Sequence, residues 1–286
     1  MINKAVILAG GRGTRMLPYT KACPKELMPL GDKPALHYVV KEAADAGVRE
    51  IAIILSPEKE SVIKYFTYDE ALQKELKKAG KEYLLAELNE LIARVKITFI
   101  TQHKADGTGG ALLLAEEFGE KQPLLVMNGD DIMFAQRPNV SEQVIATYIK
   151  YGKAVLGVTE VSEEEIRNCG SVRITERDGR DFKIDAVIEK PKKGEEYSSF
   201  ATQGRYVVTE EVFNTLKKTP LCNGELRLTD ALGTVAENGG AYACAYEGRR
   251  YDTGSRVGYL EAEIDLALKD EKIKNEIKKL LKKYGG

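Results

Sequence analysis

The sequence predicts an α/β fold: a mixed, mainly parallel sheet with helices on both faces, joined by a smaller antiparallel region and a C-terminal helix. Three observations carry this. β-rich and helix-like runs alternate through the first half of the 286 residues, later strand-like runs follow with fewer helices between them, and a glycine-rich loop breaks the chain directly after its first apolar run. Strand–helix alternation is the pattern of βαβ units on a parallel sheet.

Taken in order, the first strand spans 4 to 10, around the apolar run Ala5 to Ala9. A helix over 35 to 46 leads to a strand at 51 to 55, and a helix over 58 to 79 to a strand at 95 to 101. A helix over 109 to 118 then precedes a strand at 123 to 128. Short apolar, β-branched runs suit strands covered on both faces. Strand candidates at 153 to 161, 170 to 175, 183 to 189, 203 to 208 and 241 to 246 predict an antiparallel region inserted into, or attached to, that sheet. Residues 256 to 284 read as helix, amphipathic around Tyr259, Ile264 and Leu266, then lysine-rich with Asp and Glu interspersed, a solvated face. Ile273, Ile277, Leu280 and Leu281 are left to pack on the domain or on a second subunit.

Composition narrows the function classes. Lys plus Arg number 43 against 44 Asp plus Glu, a net charge of -1, so no general attraction to nucleic acid or to an acidic membrane is expected and any anion affinity is local. The sequence shows no secretory leader and no apolar run near the roughly 20 residues that span a bilayer. Cys23, Cys169, Cys222 and Cys244 are scattered without metal-like spacing, which predicts reduced thiols and a cytoplasmic location. His37 and His103 lie apart, and neither suggests nucleophilic catalysis.

The loop GGRGTRMLPYTKACPKE, Gly10 to Glu26, reads as a cradle for a nucleoside triphosphate. Gly10, Gly11 and Gly13 let backbone amides approach an anion, and Arg12, Arg15, Lys21 and Lys25 surround it with positive charge. It is not a Walker A loop, because no Gly-Lys-Ser/Thr follows, and not a dinucleotide fingerprint, because Met16 stands where the third glycine belongs. A tight turn without a ligand is the competing reading of the loop alone.

Gly-x-Gly-Thr-Arg followed by Pro24-Lys25-Glu26 resembles the signature of the sugar-1-phosphate nucleotidyltransferases. The resemblance continues in order through VMNGDDI (126–132), VIEKP (187–191), QGRYVV (203–208), NGELRLTDAL (223–232) and GRRYDTGSRVGYL (248–260), in wording closest to the bacterial UTP-glucose-1-phosphate uridylyltransferases. It implies one Rossmann-like domain of nucleotide-diphospho-sugar transferase type. Residues 1–131 would be its nucleotide-binding half, 132–255 its sugar-phosphate-binding half and 256–286 a C-terminal helical segment.

The chemistry such an enzyme needs follows from charge. A sugar 1-phosphate, a phosphomonoester with second pKa near ~6, is already an anionic nucleophile at neutral pH and needs no base. Its attack on the α-phosphorus of a triphosphate brings two anions together, so catalysis consists of in-line positioning and cations.

The resemblance assigns Lys25 to the nucleotide phosphates, Arg15 to the departing pyrophosphate and Lys190 to the sugar phosphate. Asp130 and Asp252 match the magnesium ligands, a donor set that suits a hard ion retaining phosphate and water ligands. Leu8, Ala9, Gly10, Gly11, Gly13, Thr14, Gln102, Gly107 and Asp131 match nucleotide-binding positions, Gln102 and Gly107 at the base edge. Gly170, Glu189 and Gly204 match the sugar side. Outside the motifs, Asp130 would read as an acidic turn, Asp252 as a helix cap and the lysines as surface charge.

Two positions depart from the uridylyltransferase pattern. Asp106-Gly107-Thr108-Gly109-Gly110-Ala111 replaces Gly-Leu-Gly-His-Ala and is similar to the loop of guanylyltransferases; Cys169 stands where a tyrosine commonly precedes the glycine. The resemblance therefore implies UTP and glucose 1-phosphate as substrates, UDP-glucose and pyrophosphate as products, magnesium as cofactor and a homodimer or homotetramer as assembly. dTTP, another nucleotide or another sugar phosphate stays open, as does a non-catalytic nucleotide-sugar-binding regulator.

Overall fold

In a computed structural model, residues 2–285 are described; Met1 and Gly286, the ends of the expected domain, lie outside the described residues. Alternation of side chains makes β1 (Lys4–Ala9) a central strand: Ala5, Ile7 and Ala9 enter one hydrophobic core and Val6 the other. Three short 3-10 turns follow (Thr14–Met16, Tyr19–Lys21, Lys25–Leu27), then a small ribbon of β2 (Pro29–Leu30) and β3 (Lys33–Pro34). The first core is filled by α1 (Ala35–Asp45), whose Leu36, Val39, Val40 and Ala43 form one buried stripe at helical spacing.

The chain continues through β4 (Glu50–Leu55), α2 (Glu60–Tyr65), α3 (Glu70–Lys78), α4 (Ala86–Arg94), β5 (Lys96–Thr101), α5 (Gly107–Leu113), α6 (Glu116–Gly119), β6 (Leu124–Asn128), β7 (Asp131–Phe134), α7 (Val140–Tyr151) and β8 (Ala154–Glu160). Then come β9 (Gly170–Asp178), β10 (Asp181–Glu189), β11 (Phe200–Val208), α8 (Glu210–Leu216), α9 (Leu228–Glu237), β12 (Ala241–Ala245), β13 (Arg249–Asp252), α10 (Arg256–Lys269) and α11 (Lys274–Tyr284). The second core is covered by α5, α8 and α9 through Leu112, Val212, Phe213, Ala231 and Leu232. Each fully buried Ile or Leu in these cores contributes roughly 1.5–3 kcal/mol.

One nine-stranded sheet runs in the order β5-β4-β1-β6-β11-β8-β12-β10-β9. β5, β4, β1 and β6 are parallel, whereas β11 runs antiparallel to both β6 and β8, and β10 to both β12 and β9. The antiparallel strands thus extend the parallel sheet. Strand order reverses between β1 and β6, so their C-terminal ends open into a crevice at a topological switch point, where α/β sheets bind ligands.

Three expected helices are divided. The helix over 58 to 79 breaks at 66–69, because extended Asp69 accepts the Leu72 amide and caps a new helix, α3. The C-terminal stretch is two helices, α10 and α11, with a break at 270–273. The helix over 109 to 118 likewise splits into α5 and α6. Among the described residues no helix is long and apolar enough to cross a membrane.

Candidate active site

The crevice beyond β1 and β6 is a cleft of about 440 Å³. Gly10, Gly11, Arg12 and Lys25 line one wall, Gln102 and Gly107 a second, and Gly170, Glu189, Lys190 and Gly204 a third, with Asp130 and Asp131 between them. Close approach of backbone dictates several glycines. A Cβ on Gly129 would sit 3.2 Å from the Leu8 carbonyl oxygen, and the Gly129 amide donates to that oxygen, which draws the Asp130 turn against the end of β1.

Asp252 arrives from the far end of the chain on β13. That strand pairs antiparallel with β7, with Asp252 opposite Asp131, and the Thr253 amide and hydroxyl both donate to the Asp130 carbonyl at 2.9 Å. Around Gly254 the charges converge: the position of a Cβ there is 2.8 Å from Asp130 Oδ2, 3.0 Å from Asp252 Oδ1 and 2.8 Å from Arg15 Nη2. Two carboxylates and a guanidinium therefore meet at one point.

Each carboxylate carries a cation from the glycine-rich segment. Lys25 Nζ lies 2.5 Å from Asp130 Oδ2, and Arg15 grips Asp252 through Nη1 at 2.9 Å and Nη2 at 3.2 Å. Burial opposes the ammonium of Lys25, but the Asp130 and Glu26 carboxylates outweigh it and hold Lys25 above its ordinary pKa. Burial likewise pushes Asp130 up, and the Lys25 ammonium pulls it further down, leaving the carboxyl below its ordinary value. Both groups are charged at neutral pH.

Asp131 is held by Asn128 Nδ2 at 2.8 Å and Arg250 Nε at 2.6 Å. Its Oδ2 lies where a Cβ on Gly204 would be, 2.1 Å away, and Gly204 has φ 59°, at an irregularity in the β11–β8 register. Arg205 is completely buried; it donates to both Glu42 oxygens and to the Asp131 and Gly204 carbonyls, fixing this wall. Glu189 ends β10 opposite Gly170, and its Oε2 is 3.3 Å from where a Gly170 Cβ would stand. Lys190 is exposed with φ 50°, a strained conformation of the kind that clusters at functional sites.

At the other end, Gln102 donates through Nε2 to Asp106 Oδ1 at 2.9 Å, and its Oε1 packs over Gly10. Gly107 has φ 93° and no room for a Cβ, which would fall 2.5 Å from the Leu226 carbonyl oxygen. The Leu226 amide donates to Asp106, and the Gly109 amide to Leu226, so the 223–228 motif buttresses this loop.

A family model described as nucleotidyl transferase matches residues 4–269. The chain belongs to the nucleotidyl transferase family. It is 37% identical over 283 residues to UTP-glucose-1-phosphate uridylyltransferase 2 of Staphylococcus saprophyticus subsp. saprophyticus, covering 99% of this chain and 98% of that protein. A second relative, UTP-glucose-1-phosphate uridylyltransferase of Bacillus subtilis, is 35% identical over 277 residues, 96% of this chain and 94% of that one. Among solved structures, a UDP-glucose pyrophosphorylase complexed with UDP-glucose superposes with TM-score 0.87 at 32% identity, over 94% of this chain and 100% of that one. A UTP-bound UGPase from Acinetobacter baumannii gives 0.91 at 29% identity, over 99% and 100%.

Within this nucleotidyl transferase, Leu8, Gly10, Gly11, Lys25, Gln102, Gly107, Asp130, Asp131, Gly170, Glu189, Lys190 and Gly204 all line the cleft. Arg15 and Asp252 adjoin it through Gly254, next to Asp130. Ala9, Gly13 and Thr14 are not on its wall: Ala9 is buried, Gly13 supplies a left-handed turn (φ 65°) beneath Thr20, and Thr14 is exposed beyond it. The sequence did not single out Lys59, Arg205, Arg227 or Arg250. Only Arg205, Arg227 and Arg250 had a signal, their places inside the QGRYVV, NGELRLTDAL and GRRYDTG motifs.

Proposed function

We propose that this nucleotidyl transferase moves a uridylyl group from UTP to glucose 1-phosphate, forming UDP-glucose and releasing pyrophosphate. The observation that carries the reading is the cation–carboxylate cluster of Lys25, Asp130, Asp252 and Arg15, set where the glycine loop and the Glu189–Lys190 wall face one cleft. Lys190 holds the sugar phosphate from its side, and the Glu189 carboxylate accepts hydrogen bonds from sugar hydroxyls. Lys25 and Arg15 exchange their carboxylate partners for phosphate oxygens, which neutralises the triphosphate as the sugar phosphate oxygen approaches its α-phosphorus in line. The oxygen–phosphorus bond to pyrophosphate breaks as the new one forms, and no proton has to be removed.

A divalent ion, magnesium, fits this donor set: Asp130 and Asp252 are hard oxygen ligands at one point, and when bound the ion supplies charge neutralisation and a template for the phosphates. Among the described residues no three His, Cys, Asp or Glu side chains gather to hold a metal alone, which makes phosphate oxygens the natural co-ligands. The protein acts in the cytoplasm, with four free cysteines, and assembles as a homodimer or homotetramer through exposed apolar side chains such as Val257, Leu260 and Leu280.

One alternative stands beside it: a putative glucose-1-phosphate thymidylyltransferase from Bacillus anthracis shares the fold at TM-score 0.73 and 27% identity, and thymine presents the same hydrogen-bonding edge as uracil, so dTTP is the second candidate nucleotide. A grid of nucleoside triphosphates against sugar 1-phosphates, read by pyrophosphate release with magnesium, tests both. UTP with glucose 1-phosphate is expected to give the highest kcat/KM. No release from any pair would discard the reading.

A further inference from the structure

Lys59, at the start of α2, is 3% exposed and lies outside the cleft wall. Its ammonium donates to the Ala9 carbonyl at 2.5 Å, to the Gly11 carbonyl at 2.6 Å and to the Glu26 carboxylate at 2.8 and 2.9 Å. A trans peptide unit is planar, with its C=O and the following N–H pointing in opposite directions. Holding the Ala9 oxygen on the buried side therefore turns the Gly10 amide the other way, and holding the Gly11 oxygen does the same to the Arg12 amide. Gly10, Gly11 and Arg12 line the cleft, and neither the Gly10 nor the Arg12 amide finds a backbone acceptor among the described residues. Two unpaired donors thus face the side from which the buried ammonium is excluded, while two carbonyl dipoles that would repel a phosphate are kept away from it.

We propose that Lys59 is the positioning residue of the phosphate cradle, setting the peptide orientation of the glycine loop so that the Gly10 and Arg12 amides receive the triphosphate. The proposal rests on the nucleotide reading of the cleft given above. Glu26 has a separate part: it neutralises Lys59, and each of the two nearly inaccessible charges offsets the burial cost of the other. The two roles are separable by substitution.

The test is calorimetric titration of the full chain, of Glu26→Gln and of the double variant Lys59→Met with Glu26→Leu, using UTP with magnesium and, separately, inorganic tripolyphosphate. The double variant removes both charges, so that neither is left buried alone and the fold survives. Its Kd for UTP is expected to rise about tenfold or more, the loss of roughly one charge-assisted hydrogen bond, with the KM for glucose 1-phosphate within about twofold. Glu26→Gln leaves Lys59 its two carbonyl acceptors and an amide oxygen in place of the carboxylate; its unfolding midpoint is expected to fall, while the Kd of the folded protein is expected to change less than about threefold. Equal weakening in the two proteins would assign the effect to the ion pair and overturn the proposal, as would wild-type affinity in a folded double variant. Tripolyphosphate separates this proposal from the nucleotide assignment. Lys59-dependent binding of tripolyphosphate by a chain that takes no UTP would keep the cradle and remove the nucleotide.

Discussion

Lys25→Ala removes the cation that, in the proposed reaction, passes from Asp130 to the nucleotide phosphates. The Lys25 side chain is 14% exposed against 60% for Arg15, so its charge acts in a largely water-excluded setting whereas that of Arg15 is screened. Loss of one preorganised charge-stabilising donor in such a setting costs about 3 kcal/mol of transition-state stabilisation, or roughly 100-fold in kcat. Arg15→Ala, by the same reasoning, costs nearer ~10-fold. The effect on folding is smaller. The Asp130 side chain is 21% exposed, so water only partly solvates the carboxylate that Lys25 leaves behind, and the stability loss is roughly 2 kcal/mol. The assay is pyrophosphate release at saturating UTP, glucose 1-phosphate and magnesium, beside thermal unfolding of the same preparations. A kcat within about threefold of wild type in a folded Lys25→Ala protein would refute the role of Lys25. A larger fall for Arg15→Ala than for Lys25→Ala would refute the ranking by burial.

Asp130→Asn is expected to leave the unfolding midpoint within a few degrees of wild type while moving the magnesium dependence of turnover to higher concentration; identical magnesium titrations would exclude ligation by Asp130. Gly204→Ala combines a left-handed backbone with a Cβ only 2.1 Å from an Asp131 oxygen that Asn128 and Arg250 hold in place, so a loss of roughly 2 kcal/mol or more in urea denaturation is expected. Unchanged stability would mean that this wall yields. The pH profile of stability follows from the Lys25–Asp130 pair. The depressed Asp130 carboxyl contributes stability that is present above its unfolded pKa of about 3.9 and lost as pH falls through the lower folded value. Lys25, raised when folded, contributes stability that is fully present below about 10.4 and lost as pH rises through its higher folded pKa. Between those limits the pair adds no slope, so Lys25→Ala and wild type should run parallel from pH 6 to pH 9 in denaturant midpoints; a crossing there would contradict the charges assigned.

The central strands were legible because β1, β4 and β6 are covered on both faces and so read as unbroken apolar runs. The cradle was legible for a related reason, since glycine and cation content follow directly from close approach to an anion. The break at 66–69 had a signal in Asp69, a capping residue followed three positions later by the amide it binds, but the surrounding lysines and leucines read as continuous helix. α7 carried a capping box in Asn139 and Glu142, and it too went unread. What the sequence could not display was convergence. Asp252 reaches Asp130 only through the β7–β13 pairing, and Lys59 reaches Gly11 and Glu26 across 48 and 33 positions of chain. Local patterns set the elements, whereas tertiary contacts decide which lone lysine among many becomes a buried anchor.

In the proposed reaction the phosphate oxygen of the sugar attacks the α-phosphorus of the nucleotide while pyrophosphate departs. Glucose 1-phosphate carrying oxygen-18 in its non-bridging phosphate oxygens tests this directly when turned over with unlabelled UTP and magnesium. All of the label is expected in UDP-glucose and none in pyrophosphate. Label in the pyrophosphate, or a nucleotide sugar that has lost it, would rule out attack by the sugar phosphate oxygen.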